Sequence, residues 1–242
     1  MSQTLNMQRC GLLLALVLVT SGCITSPPSE YGETPLAKEA KLNSCPGGLL
    51  DDAEDNDSQI LKNEGRDGYW FTFKDPEGTV VEPAGDFVMT EGGPGRAQGL
   101  QADSRYAARA HGKVADSGKS LYVGFGFALT SPKTPYDASK YKGVSFWMKG
   151  PGKVRFKTPD VNTDPVGDRC DDCYNDFGVD LFVTEEWTRY TIPFDRLAQQ
   201  PGWGDQAPMV ASDALFAVQW QFGTPGAEFD LWVDNIELVG CE

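Results

Sequence analysis

The chain has 242 residues and a formal net charge of −14, with 35 acidic and 21 basic side chains. This balance excludes nucleic acid as a partner, because binding to phosphates needs clustered Lys and Arg side chains. The 27 glycines, 16 prolines and 13 phenylalanines favour short strands joined by tight turns. The length allows one sizeable domain of all-β type or two small ones.

Residues 1–22 have the form of an export signal. Arg9 precedes an apolar run over residues 11–19, which is too short to span a bilayer comfortably. The segment that follows, 24–44, is polar and contains prolines, as expected for a tether between an anchor and a domain.

The motif between signal and tether, Thr20–Cys23, resembles the bacterial lipobox. Thr20 is the departure, because the pattern prefers Leu, Val or Ile at that position. The resemblance implies that Cys23 carries a lipid and that Ile24 after it directs the protein to the outer membrane. We therefore expect a bacterial cell-envelope lipoprotein that contacts the membrane through this anchor only, with segment 23–44 as its tether. An ordinary secreted protein is the alternative.

Residues 45–242 are predicted to form one all-β domain. Runs with strand character recur at fairly regular spacing, and long amphipathic helical patterns are absent. Ten strands without helices between them favour a jelly-roll β-sandwich of two antiparallel sheets. The predicted strands are 69–73, 86–89, 105–110, 121–129, 143–149, 153–158, 179–183, 187–193, 215–222 and 229–239.

The last predicted strand, 229–239, changes phase along its length. Apolar residues alternate with polar ones up to Val233, but the next apolar residue is Ile236, three positions later. An extra residue near Asp234–Asn235, held in a β-bulge, would keep the apolar side chains on one face. We expect this closing strand to lie beside the opening segment 49–55.

Six cysteines occur in the chain, and four of them belong to the predicted domain. Export places them in an oxidising compartment, and the pairing we favour is Cys45–Cys241 with Cys170–Cys173. A redox pair at 170–173 is the alternative, although the two aspartates between these cysteines would raise the thiol pKa. A zinc site would need all four cysteines together, because His111 is the only histidine.

The segment 51–57 contains five carboxylates in seven residues. Hard oxygen ligands of this kind suit Ca²⁺, although the spacing does not fit an EF-hand. A solvated acidic turn explains the same composition, so both interpretations stay open at this point.

Several motifs taken in order resemble galactose-binding-domain-like jelly rolls, in particular the family 11 carbohydrate-binding modules of bacterial endoglucanases. The resemblance covers nearly all of residues 45–242, and it implies a structural calcium between Glu54 and Asp234, with Asp52 as a helper. No catalytic domain accompanies the predicted domain in this chain. The motifs are Leu50–Asp55, Gly68–Phe73, Tyr106–Gly112, Gly143–Gly150 and Leu231–Ile236.

Alternation along the strands predicts which side chains face outward. Within 143–149 the apolar phase turns Trp147 outward, and the same reasoning turns Arg155, Gln219 and Gln221 outward on their strands. If these strands share a sheet, its outer face offers an indole, amides and a cation, the groups that stack on sugar rings and bind hydroxyls.

Two polar loops add candidate ligands for a glycan. Asp160 and Tyr174 lie in the loop 160–178, and Trp203 lies between two glycines. A Trp in that setting is either tucked back against the domain or exposed as a platform.

An enzyme is disfavoured, because one histidine gives no Ser-His-Asp arrangement with recognisable surroundings and no Gly-rich phosphate loop follows a strand. We therefore expect a monomeric, non-catalytic lipoprotein that binds a polysaccharide or cell-surface glycan. A structural or protein-interaction lipoprotein that has lost sugar binding is the alternative, and a polysaccharide hydrolase is the less favoured one.

Overall fold

The computed structural model describes residues 41–96 and 103–241, all of which belong to one unit, Glu33–Glu242. The predicted export signal, Cys23 and most of the predicted tether lie outside these ranges. No helix within the ranges is long and apolar enough to cross a membrane. The strands are β1 (Ser44–Asp51), β2 (Trp70–Lys74), β3 (Val80–Glu82), β4 (Thr90–Gly95), β5 (Ser104–Lys113), β6 (Val123–Ala128), β7 (Gly143–Lys149), β8 (Gly152–Thr158), β9 (Phe177–Val183), β10 (Thr188–Pro193), β11 (Ala217–Phe222) and β12 (Glu228–Val239).

The described strands form two antiparallel sheets, as the sequence predicts for a jelly-roll β-sandwich. One sheet has seven strands in the order β10-β7-β12-β5-β3, with β1 added beside β12 and β4 beside β5. The other has five strands in the order β2-β6-β11-β8-β9. The described helical elements are two short 3-10 turns, at Pro165–Gly167 and Phe194–Arg196.

The core between the sheets is centred on aromatic side chains. Trp220 of β11 has no exposed surface and packs within its own sheet against Trp70 and Phe125, with ring centroids 6.2 and 5.6 Å away. It also meets Phe146 of the seven-stranded sheet edge-on, at a centroid distance of 5.2 Å. The contact with Phe146 joins the two sheets. Large rings of this kind contribute most of the buried apolar surface of a core.

The closing strand β12 contains the predicted bulge. Its register with β7 shifts between Asp234 and Glu237, and Asn235 adopts a positive φ of 47°. Beyond the bulge β12 pairs with β1, where Asp51 lies opposite Ile236. Both the phase change and the pairing of the closing strand with the opening segment are therefore confirmed.

The sequence-based prediction missed the three strands β1, β3 and β4, and its strand at 86–89 is wrong. The segments β1 and β4 are rich in glycine and contain proline, which are depleted in strands, and β3 is only three residues long. Residues 86–89 form a loop before β4 instead of a strand. Their alternation arises because Phe87 and Met89 are buried in the core while Val88 is exposed.

Both predicted disulfides are present. Cys45 and Cys241 are 196 residues apart in sequence, and their Cα atoms lie 5.7 Å from each other. Cys170 and Cys173 are joined within one loop. The long bridge ties the start of β1 to the residue after the end of β12, so it holds the two ends of the domain together.

Removing the long bridge is expected to destabilise the fold far more than removing the short one. On the chain-entropy model, a loop of this length contributes up to about 5 kcal/mol and the short loop only about 2 kcal/mol. Chemical denaturation of Cys45→Ser/Cys241→Ser against Cys170→Ser/Cys173→Ser measures the difference. Equal free energies of unfolding for the two variants would contradict a stabilising role of the Cys45–Cys241 bridge at the two ends of the domain.

Candidate functional site

The outer face of the five-stranded sheet brings together two of the strands that carry predicted ligands. Gln219 and Gln221 of β11 point outward beside Arg155 of β8. Trp147 does not join them, because β7 belongs to the seven-stranded sheet. The assumption that these strands share a sheet is therefore wrong. Trp147 lies on the outer side of the other sheet, where only 9% of it is exposed.

Two rows of side chains run across this outer face, at right angles to the strands. They are aligned by the register of β2, β6, β11, β8 and β9, which pairs each residue with its neighbour on the next strand. Each row begins with a phenylalanine, continues over a glycine and a glutamine to a cation on β8, and ends at a residue of β9. We call these the sugar-face rows: Phe71-Gly126-Gln219-Lys157-Gly178 and Phe73-Gly124-Gln221-Arg155-Asp180.

The glycines of β6 keep the middle of the rows low. A Cβ atom on Gly124 would lie 2.1 Å from the carbonyl oxygen of Trp220, and one on Gly126 would lie 2.2 Å from that of Val218. No side chain fits at either position without moving β11. Both glycines are buried, because the Phe73 ring lies over Gly124 and the Gln219 side chain lies over Gly126. Glycine inside a strand here makes room for this close approach of neighbouring groups.

Aromatic rings line the β2 edge of the face. Phe71 and Phe73 are half-buried with ring centroids 6.2 Å apart, and Tyr122 lies 6.5 Å from Phe73. The tip of the Phe73 ring would be 2.7 Å from a Cβ on Gly124, so this ring leans inward over β6. The result is an apolar border beside polar amides, the combination on which a sugar ring can stack and bind by its hydroxyls.

The cations of the face are neutralised by carboxylates. Lys157 Nζ lies 2.7 Å from Asp176, and both side chains are nearly inaccessible. Arg155 lies 3.4 Å from Asp180 and donates to the carbonyl oxygen of Ala198 at 2.6 Å. Their charges therefore stabilise the β8–β9 side of the face and leave the glutamine amides as its uncharged donors and acceptors.

Two hydrogen-bonded loops border the β9 edge. Ala198 forms a bridge with Gly178, and Asn175 donates to the carbonyl oxygens of Gln200 and Trp203 at 2.8 and 2.7 Å. Asn175 is 2% exposed, so its amide holds the two loops together from inside.

The two predicted aromatic ligands of these loops are solvent-accessible. Tyr174 is 66% exposed and has a φ of 75°, a conformation that is costly for a residue with a side chain. Trp203 is 44% exposed, and its indole donates to Gln200 at 3.2 Å. An exposed ring on a strained backbone, as at Tyr174, is typical of functional loops, and the loops of both rings adjoin the sugar-face rows.

Asp160 has a different place from the other predicted ligands. It is fully buried, and its carboxylate accepts hydrogen bonds from the backbone of Asn162 and Ala211 and from the Thr163 hydroxyl. Burial raises its pKa above the usual range. Asp160 therefore holds the loop in shape from inside and does not face a ligand at the surface.

Phe71 and Phe73 were not predicted as site residues. The polar residue of the segment Trp70–Phe73 is Thr72, which shares its phase with Trp70, so alternation favours the inward orientation for both phenylalanines. The structure buries Trp70 in the core and turns both phenylalanines outward.

Solved structures similar to this chain share its fold. A family 11 carbohydrate-binding module from Clostridium thermocellum, solved with a β-1,3-1,4-mixed-linked tetrasaccharide, aligns at a TM-score of 0.54 and 17% identity over 80% of this chain and 95% of that one. The family 11 module of the cellulosomal cellulase Lic26A-Cel5E from Clostridium thermocellum aligns at 0.54 and 17% over 82% and 97%. The chain has the jelly-roll fold of these modules. No family model and no curated protein matches the chain.

The three carboxylates predicted to bind calcium do not converge in the described residues. Glu54 accepts hydrogen bonds from the backbone N–H groups of Arg105 and Tyr106, at 2.6 and 2.9 Å. Asp234 accepts them from Ser104 and Asn235. No group of three His, Cys, Asp or Glu side chains in these ranges is placed to hold a metal. Calcium held by Asp52, Glu54 and Asp234 stays a prediction.

Two buried carboxyl groups lie in this part of the fold. Burial raises the pKa of Asp51 and of Asp234 to about 7 in each case, and the hydrogen bonds that each group accepts oppose this shift only partly. Asp51 accepts from the Trp70 indole, and Asp234 from the Ser104 hydroxyl. Folding therefore favours the protonated form of both groups up to about neutral pH.

In calcium-free buffer, the free energy of unfolding is expected to fall as the pH rises from about 4 to about 8. The folded protein keeps protons on Asp51 and Asp234 that the unfolded chain has already released, and each group accounts for on the order of 4 kcal/mol. Asp234→Asn should flatten part of this slope in denaturation curves measured across the range. Stability that increases with pH would contradict the raised pKa values, and a higher melting temperature on adding calcium would support a bound cation.

Proposed function

We propose that this chain is a non-catalytic, glycan-binding lipoprotein of the bacterial cell envelope. The outer face of the five-stranded sheet holds a polysaccharide by aromatic stacking and polar contacts. The observation that supports the proposal most is the alignment of the sugar-face rows, which place apolar rings and amides side by side. The similar solved module carries an oligosaccharide, which favours the same class of ligand.

The rows assign different parts of sugar recognition to different strands. Phe71 and Phe73 offer ring faces to the C–H surface of a sugar, while Gly124 and Gly126 leave room for the Phe73 and Gln219 side chains to lie over β6. Gln219 and Gln221 each present an amide, which donates and accepts in one plane and so matches vicinal hydroxyl groups. Tyr174 and Trp203 extend this surface on the loops beyond β9.

Ion pairing of the carboxylates on this face supports binding without hydrolysis. A glycosidase needs one carboxyl group to protonate the leaving oxygen and a second to act as base or nucleophile. Asp176 is paired with Lys157, and Asp180 with Lys153 and Arg155, all within 3.4 Å. Both carboxylates are engaged in ion pairs, so neither is free to act as the acid.

The anchor in this proposal is a lipid on Cys23, joined to the domain by the tether 23–44. Replacement of Cys23 with Ala should move the protein from the membrane fraction to the soluble one and abolish labelling by an alkyne fatty acid. A variant that still labels and still sediments with membranes would contradict lipidation at this position.

Substitution on the rows should weaken glycan binding without unfolding the domain. Phe73→Ala is expected to lower the affinity for mixed-linkage β-glucan about tenfold, because a stacking ring is lost. Gln221→Ala should lower it about three- to tenfold through the loss of hydrogen bonds. Affinity gel electrophoresis and calorimetry over a panel of soluble glucans measure both effects.

Val88→Ala is the control, since it removes an exposed apolar side chain that lies in neither sheet. Its affinity should equal that of the unsubstituted protein. Unchanged binding in Phe73→Ala and Gln221→Ala, or no binding by the unsubstituted protein to any glycan of the panel, would contradict the proposed function. In that second case a structural or protein-interaction role would be the better description.

A further inference from the structure

The outer face of the seven-stranded sheet carries a second ordered row of side chains. Arg109 of β5, Trp232 of β12 and Lys149 of β7 lie directly opposite one another in the strand register. Trp187, which precedes β10, extends the row beyond Lys149. We call these four residues the cation–indole row, because positive and aromatic groups alternate along it.

The four side chains are stacked on one another. The guanidinium carbon of Arg109 lies 4.6 Å from the centroid of the Trp232 ring, and the ammonium of Lys149 lies 4.5 Å from the same centroid. Lys149 also lies 5.0 Å from the centroid of Trp187. All four residues are half-buried, so the row is in contact with solvent while its members are held in place.

The two cations of the row differ in their counter-ions. Arg109 makes two hydrogen bonds to the carboxylate of Asp230, at 2.8 and 2.7 Å. Lys149 has no carboxylate within ion-pair distance anywhere in residues 41–96 and 103–241, although the whole chain carries 35 acids. Burial lowers the pKa of Lys149, and the nearby charge of Asp230, which Arg109 already binds, opposes this shift only partly. A positive charge in this position favours an anion from outside the molecule.

A groove continues the row towards β3. It has a volume of about 540 Å³, and its lining includes His111, Pro151 and Asp230. Arg109 uses Nε and Nη2 for Asp230, so its Nη1 is left without a protein acceptor among the described residues. The groove and the end of the row therefore offer donors and acceptors suited to hydroxyl groups.

We propose that the cation–indole row is a second binding site, which takes a polysaccharide bearing carboxylate groups, such as a polyuronate. A sugar carboxylate binds Lys149, and hydroxyl groups of the neighbouring sugar meet Arg109, His111 and Asp230. This ligand differs from that of the sugar-face rows, where Lys157 and Arg155 are already neutralised by Asp176 and Asp180. The inference goes beyond the proposed function and does not depend on it.

The test is calorimetry and affinity electrophoresis with polygalacturonate at low ionic strength, with neutral mixed-linkage glucan in parallel. Lys149→Gln should lower the affinity for polygalacturonate at least about tenfold, and Lys149→Arg should keep most of it, because charge-assisted contacts are lost only in the first. The affinity should also fall as salt is added. Neutral glucan binding should be the same in both variants as in the unsubstituted protein.

Lys140→Gln is the matched control for charge. Lys140 also lies over an aromatic ring, 5.1 Å from the centroid of Tyr141, but it is paired with Glu64 at 2.7 Å and lies outside both sheets. This variant should bind polygalacturonate like the unsubstituted protein.

Three results would overturn the second site. They are the absence of polygalacturonate binding at low ionic strength, an equal loss in Lys140→Gln and Lys149→Gln, and loss of polygalacturonate binding in Phe73→Ala. The last result would assign the acidic glycan to the five-stranded sheet. Failure of neutral glucan binding alone would leave this site intact and would contradict only the proposed function.

Discussion

The packing of Trp220 is the contact on which the rest of this structure depends. Its side chain is fully buried between the sheets and meets Phe146 of the opposite sheet at 5.2 Å. A strand alternates its side chains strictly, so burying Trp220 forces Gln219 and Gln221 to the outside. The register of β11 with its neighbours then sets which residues flank these two glutamines. The same packing that stabilises the sandwich therefore assembles the proposed binding face.

Stability and binding are assigned to different parts of the molecule. The long disulfide, the bulge of β12 and the buried carboxyl group of Asp234 all lie where the chain ends meet, on the seven-stranded sheet. The sugar-face rows lie on the outer side of the other sheet. The two outer faces also differ in how their cations are paired. Arg155 and Lys157 on the five-stranded sheet are ion-paired, whereas Lys149 on the seven-stranded sheet is not. One sandwich can thereby present two chemically distinct surfaces.

Local pattern predicted much of this fold but could not assign strands to sheets. Alternation placed Gln219, Gln221 and Arg155 on the outside, and the phase change in the last strand predicted its bulge. Trp147 was grouped with them because alternation fixes a side chain's face and carries no information on strand order. Phe71 and Phe73 were missed for a related reason, since Thr72 shares the phase of Trp70 and alternation therefore points the phenylalanines inward, whereas tertiary packing buries Trp70.

Nuclear magnetic resonance of the protein titrated with mixed-linkage β-glucan tests most directly which sheet binds the glycan. The side-chain amide signals of Gln219 and Gln221 and the indole signal of Trp203 are expected to shift as glycan is added. The indole signals of Trp187 and Trp232, on the opposite sheet, should stay in place. Shifts confined to those two indoles, or no shift at Gln219 and Gln221 under saturating glycan, would contradict the central claim that the five-stranded sheet is the binding face.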